Sequence, residues 1–388
     1  MMNRPLSLPE PDAAARACSE QLTQLICAEI TREQRISFRR FMELALYTPN
    51  LGYYMNDLRK FGPEGDFTTA PEISPLFSRC VARQCAQILR VCAEPAMLEV
   101  GAGSGTMAAE VLLELERLDA LPQRYAILEL SANLRARQHA TLHAHAAHLA
   151  ARVEWLERLP TTEFEGVILA NELLDAMPVH RVRVMPDAAT EQYVTWENDR
   201  FSWTGGPLSD VALHARIAAL PDDLPANYTT EINLAADGWL RSFAPLLQRG
   251  AVLLFDYGFP AREFYHPQRS DGTLVCHYRH RVHNDPLVLV GLQDITSHVD
   301  FSALAHAAHD SGLHVAGFSS QTHFLLSTGI DRLVDDAASD VERWRIAQQI
   351  QKLTSPAEMG ELFKVLALTR DLDIALDGFS FRDQRARL

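Results

Sequence analysis

The chain has 388 residues and a mass of 43.4 kDa, which is long enough for two domains or for one elaborated domain with a large core. Apolar residues make up 47% of it and charged residues 22%, as in ordinary globular proteins, and this excludes a disordered or collagen-like chain. Its 50 acidic and 36 basic residues give a formal charge of −14. Because phosphate backbones repel such a molecule, we do not expect a general nucleic-acid binder.

The cellular location and the redox state of the cysteines can also be predicted from the sequence. No apolar run reaches the roughly 18 residues of a membrane span, so none is expected. The N-terminal stretch MMNRPLSLPEPDAAARACSE has acids and no hydrophobic segment, which predicts neither a secretory signal nor a transit peptide. The six cysteines include no CxxC pair, so we expect reduced thiols. A cytoplasmic protein is therefore predicted, and the sequence leaves a homodimer open.

Residues 1–95 are predicted as a mainly helical N-terminal segment. Apolar residues recur at helical spacing over 13–30 and over 76–91, on either side of a stretch rich in glycine, proline and aromatic residues. A loop of that length is usually functional, and its aromatic content argues against disorder. Tyr53, Tyr54 and Phe67 in this loop are candidates to cover an adenine ring or an acceptor, and core packing is an equally good interpretation.

From residue 96 short apolar strands alternate with helices. Strands are predicted at 97–100, 125–130, 153–156, 166–172 and 251–256, with helices at 106–118 and 131–149. Strands joined in this way form parallel sheets with right-handed crossovers. The predicted fold class is therefore α/β, with a Rossmann-like doubly wound sheet whose core occupies 96–180 and 246–330.

An insertion over 181–245 separates the fourth predicted strand from the fifth. A polar hairpin at 181–185 and 191–203 ends at a Gly-Gly pair and precedes a helical stretch to about residue 239. Beyond residue 272, strands are predicted over 273–282 and 294–301, a helix at 303–311 and a strand near 324–326. The last segment, 331–388, is predicted as a mainly helical C-terminal tail.

The sharpest local signal is the glycine-rich turn EVGAGSGT at 99–106, between a predicted strand and a predicted helix. Glycines there let a ligand approach the backbone closely at the open end of the sheet. Nicotinamide, flavin and S-adenosylmethionine folds all use GxGxG, but the dinucleotide spacing GxGxxG fails because Thr106 stands at its third glycine. Glu99, just before the loop, suits a cationic amino-acid group and would repel a pyrophosphate. The pattern therefore favours S-adenosylmethionine over NAD.

Polar groups also end the next strands. Glu129 ends the second core strand, where a carboxylate can hydrogen-bond a ribose diol. Asn171 and Glu172 end the fourth, beside the reactive end of a cofactor in such a sheet. Each acid alone could be a helix N-cap or a solvated loop residue. Acids associated with three of these strands together indicate a binding site.

With these residues in place, the chain resembles the MidA-type S-adenosylmethionine-dependent methyltransferases, the family that includes the mitochondrial complex I assembly methyltransferase. The resemblance implies a class I methyltransferase core with an N-terminal segment and an insertion, and S-adenosylmethionine as cofactor. It also implies an arginine of a partner protein, such as a respiratory-complex subunit, as methyl acceptor. It extends over about 36–368 through ISFRRFMELALYTPNLGYY, GDFTTAPEISPLF, LEVGAGSGTMAAEVL, NELLDAMPVHR, LLFDYGFP, QDITSHVDFSAL and MGELFKVLAL.

The resemblance also carries site roles over by position. The family's loop more usually reads GPGSG, and Ala102 keeps a small side chain at the proline position. An acceptor side lined by Asn171, Glu172 and Asp175 is implied. The cofactor-binding candidates, from the resemblance and from the strand ends together, are Asp66, Thr69, Glu99, Gly101, Gly103, Gly105, Glu129 and Asn171.

The chemistry of the implied acceptor singles out two carboxylates. A guanidinium is a poor nucleophile because its pKa exceeds about 12. Carboxylates can hold it bidentately, align one nitrogen and stabilise the arriving positive charge. Glu172 is the candidate main ligand and Asp175 the second, since residues three apart face the same way if NELLDA forms a helical turn. The alternative is a capping Glu172 and a solvated Asp175.

His298 is a further catalytic candidate. At strand spacing Asp294, His298 and Asp300 point to one face, so a His–carboxylate pair could orient the acceptor or take a proton, and a buried, hydrogen-bonded histidine is the alternative.

No metal site is expected, because His139 and His143 have helical spacing without the carboxylate of HExxH. A non-catalytic assembly factor that binds S-adenosylmethionine and a small-molecule methyltransferase stay open as other functions.

Overall fold

A computed structural model describes residues 8–57, 66, 68–185, 188–334 and 339–388. The chain divides into two compact units, each built from three separate stretches. We call them the sheet unit (Thr68–Leu174, Asp237–Ala261 and Val299–Leu388) and the accessory unit (Met1–Phe67, Asp175–Ala236 and Arg262–His298).

The helices begin mostly at residues that can cap them. Asp12, Ser37, Ser131 and Ser339 each accept an N–H of the first turn with their side chains, as N-cap residues do. The α-helices are α1 (Ala13–Glu33), α2 (Phe38–Tyr47), α3 (Ala70–Ile73), α4 (Pro75–Leu89), α5 (Thr106–Arg117), α6 (Ala132–His145), α7 (Val211–Ala218), α8 (Leu234–Phe243), α9 (Ala261–Phe264), α10 (Phe301–Asp310), α11 (Gln321–Ser327) and α12 (Asp340–Thr354).

Most strands are short, and they belong to three sheets of the described chain. They are β1 (Ile36–Ser37), β2 (Pro95–Val100), β3 (Arg124–Leu128), β4 (Val153–Leu156), β5 (Phe164–Asn171), β6 (His180–Val184), β7 (Ala189–Glu197), β8 (Arg200–Gly206), β9 (Tyr228–Ile232), β10 (Leu247–Phe259), β11 (Val275–Tyr278), β12 (Arg281–His283), β13 (Asp294–Thr296), β14 (Val299–Asp300), β15 (His314–Ser320) and β16 (Phe363–Arg370).

The sheet unit is built on one sheet of strand order β15-β16-β10-β5-β2-β3-β4, with β14 paired to the end of β10. From β10 to β4 the strands run parallel, and β16 is antiparallel to both of its neighbours. The chain passes outward from β2 to β4 and then builds β5 and β10 on the other side of β2. Ligands bind at the carboxyl ends of strands at such a reversal, so the loops after β2 and β5 lie where a cofactor is expected.

Two glycines allow the central strands to approach each other closely. Gly166 in β5 has a φ of 142°, and a Cβ there would lie 1.9 Å from the carbonyl oxygen of Ala96 in β2. Gly250 in β10 has a φ of 137°, and its Cβ would lie 1.9 Å from the carbonyl oxygen of Gly166. A side chain at either position is excluded by backbone, so these glycines set the register at the base of the sheet.

Aromatic side chains connect the sheet to its helices. Phe77 of α4 and Phe324 of α11 both pack edge-on against Phe255 of β10, with ring centroids 5.5 and 5.1 Å apart. All three rings are buried, and each contributes about 1.5–3 kcal/mol of hydrophobic free energy. β5 and β10 are buried along most of their length, as parallel strands covered on both faces are.

The accessory unit has a core and sheets of its own. One antiparallel sheet has the order β1-β7-β6-β9, with β8 paired to β7, and a second has the order β12-β11-β13. Phe38 and Phe41 of α2 pack on Trp203 and Phe201 of β8, with centroids 5.0 and 5.2 Å apart. Phe38, Phe41 and Phe201 belong to a buried cluster formed within the accessory unit, and Trp203 packs against it.

The predicted α/β class and doubly wound sheet are confirmed, but several local predictions are wrong. Residues 324–326 lie in α11, not in a strand, because a short apolar run does not distinguish a buried helix from a buried strand. The insertion contains β9 where only helix was expected. The C-terminal tail predicted as helical contains β16, whose nearly continuous burial follows from its place between β15 and β10.

The predicted segment boundaries differ from those of the two units. The N-terminal segment predicted at 1–95 is divided, since α3 and α4 belong to the sheet unit. The insertion predicted at 181–245 begins at 175 in the accessory unit, which 262–298 joins from further along the chain. None of the helices among the described residues combines the length and apolarity that crossing a membrane requires.

Candidate cofactor and acceptor sites

The glycine loop between β2 and α5 has the backbone conformation that only glycine adopts readily. Gly101, Gly103 and Gly105 have φ values of 70°, 54° and 82°. The N–H of Gly105 donates to the carbonyl of Ala102 at 2.8 Å, and a Cβ on Gly105 would lie 2.9 Å from the Cα of Gln138 in α6. The loop is therefore free of side chains at its turns, as a close approach of a ligand to its backbone requires.

The carboxylate of Glu129 follows β3 and is held on both oxygens. Oε1 accepts the N–H of Ser131 at 2.9 Å, and Oε2 accepts the side-chain amide of Gln138 at 3.0 Å. Burial raises the pKa of Glu129, while these hydrogen bonds and the charge of Arg135 lower it. Each carboxylate oxygen has a second lone pair, so the group can also accept the two hydroxyls of a ribose.

Glu99 lies in the interior of the sheet unit, with 0% of its surface exposed. The hydroxyl of Tyr125 donates to its Oε2 at 2.5 Å, and its Oε1 accepts no hydrogen bond from the part of the chain that is described. Burial raises the pKa of Glu99 to about 7, against the lowering effect of the Tyr125 hydroxyl. Because the carboxylate is buried, its predicted contact with a cationic amino group stays a prediction.

The turn after β5 is strained and firmly attached to β10. Glu172 has a φ of 50°, a left-handed conformation that costs a residue with a side chain about 1–2 kcal/mol. Its N–H donates to the carbonyl of Phe255 at 2.8 Å, and the N–H of Leu174 donates to the carboxylate of Asp256 at 2.9 Å. Backbone strain of this kind is frequent at functional sites.

Asn171 orients the carboxylate of Glu172. Its Nδ2 donates to Glu172 Oε1 at 3.1 Å, while its buried Oδ1 accepts no hydrogen bond from any residue the structure describes. A buried acceptor without a donor costs about 1–3 kcal/mol, which a ligand donor would recover. Leu173 in the same turn lies 3.0 Å from where a Cβ on Gly101 would be, so the turn adjoins the glycine loop.

The helical turn expected in NELLDA does not form. Residues 172–177 adopt bends and turns, because the left-handed φ of Glu172 is incompatible with a right-handed helix. Glu172 belongs to the sheet unit, and Asp175 is the first residue of its stretch of the accessory unit. Helical spacing therefore does not align these two carboxylates, and their joint action on one guanidinium stays a prediction.

Within the accessory unit Asp175 and Asp294 are both buried. The hydroxyl of Tyr54 donates to Asp294 Oδ1 at 2.8 Å. Burial, and then the negative charge of Asp175, raise the pKa of Asp294 to about 8. Carboxyl groups that repel each other in this way are stabilised by a proton or by a cation.

Asp66 and Thr69, from the segment GDFTTAPE, belong to different units. Asp66 is buried in the accessory unit, where it accepts the hydroxyl of Tyr53 at 2.7 Å and the backbone N–H of Arg279 at 2.6 Å. Thr69 is half-buried and directly precedes α3 in the sheet unit. Phe67 lies outside the described residues. That Asp66 and Thr69 bind the cofactor stays a prediction.

The polar residues expected on one strand around His298 lie on separate elements. His298 stands between β13 and β14, so Asp294 and Asp300 are not on one strand with it. Asp300 caps α10 by accepting an N–H of its first turn at 3.0 Å. Desolvation, and then the charge of Arg269, lower the pKa of His298 to about 4, which describes a neutral imidazole on a half-buried side chain. Its catalytic role stays a prediction.

Two histidines of this region, one of them from the pair that resembles a metal motif in the sequence, have other neighbours. The ring of His139 stacks on Trp155 with centroids 3.5 Å apart, and His148 lies 2.9 Å from a carboxylate oxygen of Glu116. Across the described ranges, no group of three or more His, Cys, Asp or Glu side chains is arranged to hold a metal ion.

A family model of S-adenosyl-L-methionine-dependent methyltransferases matches residues 80–319, well over half of the chain. The chain belongs to this methyltransferase family. Its matched region begins in α4 and ends in β15, so it includes the glycine loop, Glu129 and the strained turn at Glu172.

Solved structures and curated relatives agree with this assignment. A Burkholderia thailandensis protein crystallised with S-adenosyl-homocysteine is 45% identical, with a TM-score of 0.94 over 98% of this chain and 100% of its own. The mitochondrial protein arginine methyltransferase NDUFAF7 homologue of Drosophila melanogaster is 28% identical over 95% of this chain and 89% of its own. The Homo sapiens protein arginine methyltransferase NDUFAF7 is 25% identical over 86% of this chain and 80% of its own.

The methyltransferase uses S-adenosylmethionine, and the predictions of family, cofactor and enzyme class are confirmed. The residues at the switch point fit this cofactor. The glycine loop offers an open backbone, Glu129 offers two acceptor oxygens beside it, and Asn171 Oδ1 is a buried acceptor that lacks a donor among the described residues.

Three residues that hold the candidate site together are not singled out by any pattern in the sequence. Tyr125 donates to Glu99, Gln138 donates to Glu129, and Asp256 holds the turn after β5. The sequence contains one indirect indication of Gln138. It lies four residues before Leu142, on the same face of α6, and these two are the buried residues of that helix. A polar residue on the buried face of a helix needs a partner. Only the fold shows which one.

Proposed function

We propose that this methyltransferase transfers a methyl group to an arginine side chain of a partner protein. The observation that carries the proposal is the Glu172 carboxylate, held by Asn171 in a strained turn beside the glycine loop. A carboxylate at this strand end can hold a cation at the reactive end of the cofactor. The relatives named protein arginine methyltransferases support a guanidinium as that cation.

The chain's contribution to the reaction is mainly positional. S-adenosylmethionine supplies an electrophilic methyl group on its sulfonium. An arginine nitrogen must be held in line with the methyl carbon and the leaving sulfur, and because a guanidinium stays protonated, it is a weak nucleophile. Glu172 would accept two of its N–H groups, fix the attacking nitrogen, stabilise the positive charge and receive the proton that this nitrogen loses as the N–C bond forms.

Two further residues enter the proposal as candidates. Asp175 is proposed as a substrate-binding carboxylate, supported by its burial and by its electrostatic interaction with Asp294. His298 is proposed to orient the acceptor as a neutral imidazole, which its lowered pKa supports. That the partner is a respiratory-complex subunit stays a prediction, as do the homodimer and the cytoplasmic location. The curated relatives are named mitochondrial.

The proposal predicts that Glu172→Gln abolishes transfer and leaves cofactor affinity nearly unchanged. Losing the negative charge at the acceptor should lower the transfer rate about 100-fold or more. The measurement is transfer of radiolabelled methyl from S-adenosylmethionine into a lysate of a strain that lacks this protein, resolved by gel and acid hydrolysis. S-adenosyl-homocysteine binding by calorimetry accompanies it, with Glu116→Gln on the exposed surface as the matched control.

Label recovered as methylarginine in a protein band, and lost with Glu172→Gln, would support the proposal and reveal the partner. Label confined to small molecules would reassign the chain to metabolite methylation. No label despite cofactor binding would favour a non-catalytic assembly factor. Weakened cofactor binding in Glu172→Gln would place that carboxylate on the cofactor instead of on the acceptor.

A further inference from the structure

We propose that Gln138 is a positioning residue for the cofactor, which holds the ribose carboxylate and the glycine loop in one hydrogen-bonded arrangement. Gln138 lies on α6 and is 0% exposed. Its Nε2 donates to Glu129 Oε2 at 3.0 Å and to the carbonyl oxygen of Gly103 at 3.1 Å. One amide thus connects two cofactor-binding elements that follow different strands of the sheet.

The orientation of this amide is set by Trp155. The indole Nε1 of Trp155, in β4, donates to Gln138 Oε1 at 2.9 Å. An indole N–H can only donate, so the carbonyl oxygen of Gln138 must face Trp155, and its NH₂ group must face Glu129 and Gly103. The amide therefore uses both donor hydrogens and its acceptor, and a flipped amide would oppose donor to donor at Trp155.

Packing at Gly105 supports the same arrangement. A Cβ at Gly105 would lie 2.9 Å from Gln138 Cα and 3.2 Å from Gln138 Cβ, so the loop lies directly against the helix at this residue. A substitution at Gln138 should therefore alter the position of the loop backbone as well as that of the Glu129 carboxylate. Holding both groups before the ligand arrives lowers the entropy cost of binding, which is the physical advantage of such a residue.

Other charged and titratable groups lie near this arrangement. Arg135 on α6 forms an ion pair with Glu157 and lowers the pKa of Glu129. The imidazole of His139 stacks on the indole of Trp155. Both groups are present in the parent protein and in the variants, so the ratio of their dissociation constants at each pH isolates the effect of the substitution.

The test measures binding of S-adenosyl-homocysteine to the full chain by calorimetry at pH 8 and pH 5.5. Gln138→Glu keeps the side-chain shape but replaces the NH₂ donors with an oxygen beside Glu129. At pH 8 the two carboxylates repel each other, and affinity should fall about 10- to 100-fold. At pH 5.5 they can share a proton and restore one hydrogen bond, so the loss should shrink to within about 5-fold.

Three comparison variants separate positioning from packing. Gln138→Met removes the hydrogen bonds without adding charge, so its loss of affinity should differ much less between pH 8 and pH 5.5 than that of Gln138→Glu. Gln348→Glu makes the same chemical change as Gln138→Glu on the exposed face of α12, and it should bind like the parent at both pH values. Trp155→Phe removes the indole donor and leaves the ring, and it should weaken binding about 3- to 10-fold.

Parent-like binding by Gln138→Glu at pH 8, or a loss in it that does not depend on pH, would overturn the proposal. Should circular dichroism show that Gln138→Glu is unfolded at pH 8, Trp155→Phe decides, and parent-like binding there would overturn it too. The inference rests on the ribose role proposed for Glu129, and not on the acceptor. Because the readout is cofactor binding, a failure here is distinct from a failure to methylate arginine.

Discussion

The buried carboxyl of Glu99 should make the stability of this methyltransferase depend on pH. Burial raises its pKa from the ordinary 4.5 to about 7 in the folded chain. As pH rises, the unfolded chain loses this proton first, so the free energy of unfolding decreases between about pH 4.5 and pH 7 and then stays lower. At about 1.4 kcal/mol per pKa unit, the penalty is about 1 kcal/mol at pH 5 and about 3 kcal/mol at pH 8.

The substitution Glu99→Gln removes this ionisation and retains an acceptor for the Tyr125 hydroxyl. It also buries an NH₂ group, at a cost that does not change with pH. Relative to the parent, the variant should therefore gain about 2 kcal/mol between pH 5 and pH 8. For a folding unit of the size of the sheet unit, which contains Glu99, that gain corresponds to a difference of roughly 4–8 °C in Tm.

The assay is thermal unfolding followed by circular dichroism, without cofactor, at pH 5, 6, 7 and 8. Glu163→Gln, at an exposed position, is the matched control, and its Tm offset from the parent should not vary with pH. An offset for Glu99→Gln that is equal at pH 5 and pH 8 would refute the reasoning. It would mean that Glu99 ionises in the folded chain as readily as in the unfolded one.

Two further substitutions test the sheet and the accessory unit. Gly166→Ala introduces a Cβ at 1.9 Å from the carbonyl oxygen of Ala96 and should lose at least about 3 kcal/mol in urea unfolding. Gly238→Ala, within α8 and with open space around it, should be neutral or stabilising by up to about 1 kcal/mol, and equal midpoints for both would contradict the backbone argument. Tyr54→Phe removes the donor to Asp294, so the pKa of that carboxyl rises further, and Tm should fall more at pH 9, where the parent carboxyl is ionised, than at pH 6. A fall that is equal at both pH values would argue against this.

The sequence by itself determined the glycine loop and the parallel strands whose ends lie beside it. The glycines at 101, 103 and 105 are separated by single residues, and their need for positive φ belongs to the local backbone, so the loop can be read without knowing its surroundings. Short apolar strands alternating with helices indicate a parallel sheet, and a parallel sheet puts Glu129 and Glu172 at one edge. These inferences use only neighbours along the chain.

The predictions of a helical turn at NELLDA and of a strand at 324–326 are wrong because both conformations depend on residues that are distant along the chain. The left-handed φ of Glu172 is imposed by hydrogen bonds to β10, which lies more than 70 residues further along the chain. Phe324 is helical because its ring packs on Phe255. In both places tertiary contacts override local preference, and no pattern within the segment records them.

Only the tertiary structure decided which partner each buried polar group has. Tyr54 and Asp294 are hydrogen-bonded across 240 residues of chain, Tyr125 meets Glu99 across 26, and Gln138 reaches back 35 residues to Gly103. A buried polar side chain must find a donor or acceptor, but the sequence does not specify at what distance along the chain it lies. The cofactor can therefore be predicted from local backbone requirements in the sequence. The contacts that set the pKa values and the positions of the site residues exist only once distant segments have packed together.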